Sequence, residues 1–204
     1  MFITFEGLDF CGKSTQVKLL TKYLTEQGKR VELIREPGGT TISEEIRNVL
    51  LDRKNDKMFM ETELLLYSSS RAQLVRERIL PLLEKEYYVI SDRFHDSSIA
   101  YQGYGRGIDI NRVKEIQYFA IGSAIPDITF LIDIPVEEVN KRKAKFDPDS
   151  WDRIEISGNQ FYEKVRQGYH EIAKTSENYI FIDGLKTIEQ IHEEVVKAIN
   201  NYKN

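Results

Sequence analysis

Cys11 is the one cysteine in 204 residues. No intrachain disulfide can form, and no cysteine cluster can cage a structural metal. Histidine is nearly as scarce. His95, His170 and His192 stand far apart and share no zinc-type spacing. No apolar run approaches the ~20 residues of a membrane span. The start, Met1-Phe2-Ile3-Thr4-Phe5-Glu6, lacks the charged and long apolar stretches of a secretory signal. A cytoplasmic protein is expected, with no membrane partner. Basic excess is lacking too: 29 Lys and Arg face 33 Asp and Glu, a net charge of -4. This argues against a general nucleic-acid binder, and any site for an anion must be built locally. There is no repeat and no low-complexity stretch. With 41% hydrophobic and 30% charged residues, disordered and collagen-like classes are excluded. The length favours one domain, residues 1–204.

What is present is a regular alternation. Phe2 to Glu6, Arg30 to Arg35, Tyr87 to Ser91, Asp127 to Ile134 and Tyr179 to Asp183 are short apolar runs rich in β-formers. Between them lie helical patterns over Lys13–Gln27, Ile42–Leu51 with Ser43 as a candidate N-cap, Thr62–Lys85 with a kink or break at Pro81, Asn111–Ser123, Val136–Lys145 and Ser157–Thr175. A last helix is expected over Thr187–Tyr202. The apolar runs are continuous, as strands covered on both sides must be. The expectation is an α/β fold: a five-stranded parallel sheet with helices on both faces. Ligands in such folds bind beyond the carboxyl ends of the strands, here after Glu6, Arg35, Ser91 and Ile134.

Gly7-Leu8-Asp9-Phe10-Cys11-Gly12-Lys13-Ser14 fits the phosphate-loop pattern G-x-x-x-x-G-K-[ST], with a strand before it and a helix after. Its glycines let backbone amides turn inward into a nest for phosphate oxygens, and the helix adds its positive end. Gly7 to Thr15 is therefore the expected ATP-binding segment. Lys13 would meet the β and γ phosphates, and Ser14 would ligate Mg²⁺. Cys11 sits where a helix start and Lys13 would lower a thiol pKa. The simpler reading is a small residue that fits the loop. The loop alone leaves the reaction open: a kinase for another nucleoside monophosphate or small metabolite, or a nucleotide-binding module without transferase activity.

Further segments narrow the choice. Arg35-Glu36-Pro37-Gly38-Gly39 follows the second strand. Asp92-Arg93-Phe94-His95-Asp96-Ser97-Ser98 follows the third, with Ala100-Tyr101-Gln102-Gly103 close behind. Arg71 lies four residues after Tyr67 on an expected helix, so ring and guanidinium share a face, suited to a planar base near a phosphate. On these segments, together with Leu64 to Arg71 and Asp152-Arg153-Ile154-Glu155, the chain resembles the bacterial type of thymidylate kinase over nearly its whole length. The resemblance implies a homodimer of P-loop kinase domains, the small-molecule substrates ATP and dTMP, Mg²⁺, and formation of dTDP for DNA precursor synthesis.

It also implies roles. Tyr67 stands where the family stacks an aromatic on thymine, and Arg71 where an arginine bonds the base. Ser70, Ser97 and Gln102 fall around the thymine edge. Tyr101 falls where an aromatic crowds the sugar, and Asp9 matches an acid near that sugar. Arg35 and Arg93 match arginines on the acceptor phosphate and the transferred group, beside Glu36 and Pro37. Glu155 is a further acid near the phosphates. Asp92 would help organise Mg²⁺. Lys141-Arg142-Lys143-Ala144-Lys145 leads into a region, about 141–155, that the resemblance implies is a short mobile lid over ATP. The phosphate loop carries no arginine, so by the resemblance the lid supplies it, with Arg142 and Arg153 as candidates beside Lys13 and Arg93. This lid is poorer in arginine than the family pattern and holds an unusual stretch from Phe146 to Trp151.

Overall fold

The apolar runs form five strands, β1 (Phe2–Glu6), β2 (Val31–Arg35), β3 (Tyr88–Asp92), β4 (Ile128–Asp133) and β5 (Tyr179–Asp183), in a computed structural model that describes residues 1–202. All pairs are parallel and the order is β2-β3-β1-β4-β5. Parallel neighbours need long crossovers. These are α1 (Lys13–Glu26), α2 (Thr41–Leu51), α3 (Met60–Leu74), α4 (Leu80–Glu84), α5 (His95–Ser98), α6 (Ile110–Ile121), α7 (Val136–Lys143) and α8 (Asn159–Lys174), followed by α9 (Ile188–Tyr202).

Alternate residues of β1 face opposite layers. Ile3 and Phe5 pack with Val17, Leu20, Val195 and Ile199, so α1 and α9 cover one face. Phe2 packs with Leu74, Ile79 and Ile121, which puts α3 and α6 on the other. Glu6 points to that second face, where Tyr169 of α8 meets it. Covering both faces explains why all five residues of β1 are buried. The chain turns to β2 on one side of β1 and later to β4 on the other. The strand order therefore reverses between β1 and β3, where an open sheet offers a binding crevice. Register brings Phe5 and Arg35 opposite Asp92 at that edge.

One local expectation needs correcting, one is narrowed, and one stretch is new. The N-cap of α2 is Thr40, not Ser43: the Thr40 hydroxyl accepts from the Ser43 amide at 3.1 Å. Of the kink or break expected at Pro81, the helix shows a disturbed ladder and no end. The ladder widens into a π-type turn over Val75–Ile79 before Pro81, which has no N–H to donate, and resumes as α4. The stretch after β3, for which no element was expected, is helical: α5 runs into a π-type turn over Ile99–Gly105. No helix among the described residues is long and apolar enough to cross a membrane.

Candidate active site

The edge formed by β1, β2 and β3 opens into a cleft of about 630 Å³, within the size range of small-molecule sites. Its floor is the phosphate loop. Gly7 adopts φ 137°, and a Cβ there would stand 2.3 Å from the Ile132 carbonyl oxygen, so only glycine lets the loop lie against β4. Gly12 precedes α1 at φ 103°. Asp9, Phe10, Gly12, Lys13, Ser14 and Thr15 line the cleft. Leu8 and Cys11 turn into the core, each 1% exposed, so any contact from them is through backbone. The Lys13 ammonium lies under the loop and donates to the carbonyls of Gly7 at 3.1 Å and Leu8 at 2.6 Å. At the start of α1 the Ser14 hydroxyl donates to Asp92 Oδ2 at 2.5 Å.

Arg93 ties this floor to the opposite wall. Its backbone takes φ 71°, uncommon outside glycine. Its guanidinium donates to the Gly7 carbonyl, to Ser97 Oγ, to the hydroxyls of Tyr101 and Tyr169, and to Asp9 at 2.5 Å. Tyr101 in turn donates to Asp9 Oδ2 at 2.9 Å. Burial alone would raise the Asp9 carboxyl, but Arg93, Lys13 and the Tyr101 hydroxyl outweigh it and hold it below the usual range. Beneath lies Glu6, fully buried. It accepts from the Phe94 amide at 2.8 Å, Ser97 Oγ at 2.6 Å and the Tyr169 hydroxyl at 2.8 Å. Burial, then the nearby Asp96, push Glu6 up to about 7, against the pull of Arg93.

Tyr67, Arg71, Gln102, Glu36 and Pro37 line the far end, and Arg35 the rim between. Tyr67 and Arg71 do share a face of α3. Burial, reinforced by Glu63 and Asp152, raises the Tyr67 hydroxyl. Arg71 is 1% exposed, with Nε donating to Glu36 Oε2 at 2.6 Å, Nη1 to Ser98 Oγ and Gln117 Oε1, and Nη2 to the Phe94 carbonyl. Any bond from Arg71 to a base must therefore exchange with one of these. Arg35 donates to the Pro37 carbonyl and to both carboxylate oxygens of Glu44.

Two placements depart from expectation. Ser70 does not line the cleft; its hydroxyl is buried with no hydrogen-bond partner, while its backbone carbonyl accepts from Ser43 Oγ of α2. Arg153 does not reach the phosphate end. It is 8% exposed and its guanidinium points to the Leu50 carbonyl and Glu63. Arg142 does reach that end, donating to the carbonyls of Phe10 and Cys11 as well as Gly184. Lys145, Phe146, Asp152, Ile154 and Glu155 form the remaining rim, and burial raises both carboxyls.

Sequence reasoning missed Arg47, which lines the cleft and donates to the Pro37 carbonyl at 2.9 Å, and the Tyr169 and Tyr162 hydroxyls behind Arg93 and Asp9. Arg47 looks like any surface residue of an amphipathic helix. The tyrosines are brought in from α8 only by folding.

The thymidylate kinase family model matches residues 5–195 of this chain. A thymidylate kinase of Kosmotoga olearia is 49% identical over 198 residues, 97% of this chain and 94% of that one. Another, of Caldanaerobacter subterraneus subsp. tengcongensis, is 48% identical over 203 residues, covering 98% and 95%. Among solved structures, thymidylate kinase from Ehrlichia chaffeensis matches with a TM-score of 0.79 and 38% identity over 98% of both chains.

Proposed function

The chain belongs to the thymidylate kinase family, and from that premise we propose that it transfers the γ-phosphoryl group of ATP to dTMP, giving ADP and dTDP. The observation that carries this reading is one cleft lined by Gly12, Lys13 and Ser14 at one end and by Tyr67, Arg71 and Gln102 at the other, with Arg93 between. Such a site places a donor triphosphate and a monophosphate acceptor end to end. Positioning and charge stabilisation then supply most of the catalysis. The acceptor phosphate is already an anion, so no residue has to remove a proton. Its oxygen bonds to the γ-phosphorus while the bond from phosphorus to the ADP oxygen breaks.

Lys13 and the loop amides hold the donor phosphates. Arg35 and Arg93 hold the acceptor phosphate, with Glu36 and Pro37 shaping that wall. Asp9, already bonded to Tyr101 and Arg93, faces the sugar, and Tyr101 narrows the space beside it. Tyr67 and Gln102, with Ser97 nearer the phosphate, form the base pocket. Arg142 is the lid-side cation set against the loop. Ser14 Oγ and Asp92 Oδ2 offer a pair of hard oxygens, and no cluster of three or more His, Cys, Asp or Glu ligands occurs among the described residues. A site this sparse fits Mg²⁺, which keeps waters and substrate phosphates as its other ligands. When bound, Mg²⁺ supplies charge neutralisation to the phosphate oxygens.

We place the enzyme in the cytoplasm, acting as one domain and as a homodimer. Phe59 and Leu65 at α3, and Tyr118 and Phe119 on neighbouring α6, leave large apolar side chains exposed, which supports self-association. The reading is tested by ADP release with ATP and each of dTMP, dUMP, dCMP, dGMP and AMP. Preference for dTMP is expected; preference for any other acceptor overturns it.

A further inference from the structure

One carboxylate outside the phosphate machinery joins three parts of the molecule. Glu63, in the first turn of α3, is 1% exposed. Its Oε1 accepts from Gln102 Nε2 at 2.9 Å and from Arg106 Nε at 3.1 Å. Its Oε2 accepts from Arg106 Nη2 at 3.2 Å and lies 2.6 Å from Arg153 Nη1. Burial would raise this carboxyl, but the Arg106, Gln102 and Arg153 donors keep it below its usual range, so it stays an anion. Its partners belong to different ends of the site. Gln102 is 2% exposed and lines the far end of the cleft. Arg153 belongs to the segment after α7, between Asp152 and Ile154, which line the rim. Arg153 also anchors that segment to the end of α2, through its amide to the Leu51 carbonyl and its Nε to the Leu50 carbonyl. One N–H-bearing atom of Arg153, Nη2, is buried without a partner, so Glu63 supplies the side-chain acceptor for this guanidinium.

We propose that Glu63 is a positioning residue that couples occupancy of the acceptor-base pocket to docking of the lid segment, with Gln102 and Arg153 as the two arms of the junction. This rests on the dTMP reading of the site. A base that orders the Gln102 amide also orders the Glu63 carboxylate, and an ordered carboxylate holds Arg153 and the rim residues beside it. Coupling of this kind is reciprocal: a docked lid tightens the acceptor site by the same factor that the acceptor tightens the lid. The enzyme would thus close over ATP when an acceptor is present, which limits transfer to water.

The test is limited trypsin digestion at Lys145, an exposed residue of the segment, with and without dTMP, alongside steady-state kinetics. In the unmodified enzyme, dTMP is expected to slow cleavage there several-fold. Glu63→Gln places an amide N–H₂ where an anion accepted from arginine. It should abolish that protection and raise KM for dTMP by about 5- to 50-fold, with a smaller change in kcat and faster ATP hydrolysis without acceptor. Arg153→Gln leaves the Glu63–Arg106 pair in place, so it tests the same coupling should Glu63→Gln fail to fold. The double variant should be no worse than either single one. Equal protection by dTMP in a folded variant and the unmodified enzyme overturns the proposal. Absence of dTMP turnover in the unmodified enzyme instead sinks the functional reading, whereas turnover with an unprotected lid sinks only the coupling.

Discussion

The floor of the cleft and its rim both carry cations to the same space, but they are held in different ways. On the floor, Arg93 is bonded to Asp9, Ser97, Tyr101 and Tyr169, side chains from the phosphate loop, α5, the turn after it and α8. On the rim, among the described residues, Arg142 donates to the carbonyls of Phe10, Cys11 and Gly184 with Glu138 as its one side-chain acceptor, and Arg153, holding the lid segment, donates to the Leu50 carbonyl with Glu63 as its one side-chain partner. Side-chain networks in a buried site interlock, so the loss of one member strands the others. Bonds to carbonyls locate a segment one contact at a time. The floor is thus set in shape by an interlocked network, while the rim is attached mainly through backbone carbonyls and the one Glu63 junction, as suits a segment that opens and closes.

Variants can break this contrast. The largest effect is expected for Arg93→Met, which strands Asp9 and the Tyr101 and Tyr169 hydroxyls. Urea unfolding should show a loss of about 3–5 kcal/mol, together with loss of transfer. Wild-type stability in that variant would mean the floor is not interlocked. Lys13→Ala should cut kcat by about 10²–10³-fold or more, with secondary structure by circular dichroism unchanged. Near-normal turnover would refute the role given to the phosphate loop.

The third prediction concerns pH. Unfolded, Glu6 titrates near the ordinary glutamate value of 4.5; folded, burial raises it to about 7. The native state therefore binds this proton more tightly. The stabilisation is complete below the unfolded pKa and is lost as pH rises through about 7, a change of about 3 kcal/mol. The melting temperature should fall across that window, and Glu6→Gln should flatten the slope; an unchanged slope in the variant contradicts the assignment. On the rim, Arg142→Ala should lower kcat about tenfold with little effect on stability. The smallest effect belongs to Lys141→Ala. Its side chain is 75% exposed and its ammonium meets Glu138 at 3.9 Å, so stability should move by less than about 0.5 kcal/mol.

The same contrast explains what could be read before folding. The sheet was legible because strands buried on both faces must be continuous apolar runs, and Phe2 to Glu6 and Asp127 to Ile134 are such runs. The phosphate loop was legible because a short stretch of sequence supplies its glycines, its lysine and its context. Cleft residues such as Arg35, Tyr67 and Gln102 could be named because they cluster in segments that resemble a family. The bracing could not. Glu6 looks like the end of a strand, and Tyr169 lies 163 residues away from it. Arg153 was expected at the phosphates because its charge and position suit that task. Only the fold brings a buried Glu63 within its reach. Ser70 was misplaced for a simpler reason: one residue along a helix turns the side chain by about 100°, out of the cleft that Arg71 lines.

The most direct test of the central claim follows the phosphoryl group itself. ATP labelled in its γ-phosphoryl group is mixed with the enzyme and dTMP, and the label is traced in the unmodified protein and in Lys13→Ala. The account predicts label in dTDP for the unmodified protein and its near-absence in the variant over the same time. Label appearing in inorganic phosphate at a rate indifferent to dTMP would contradict it.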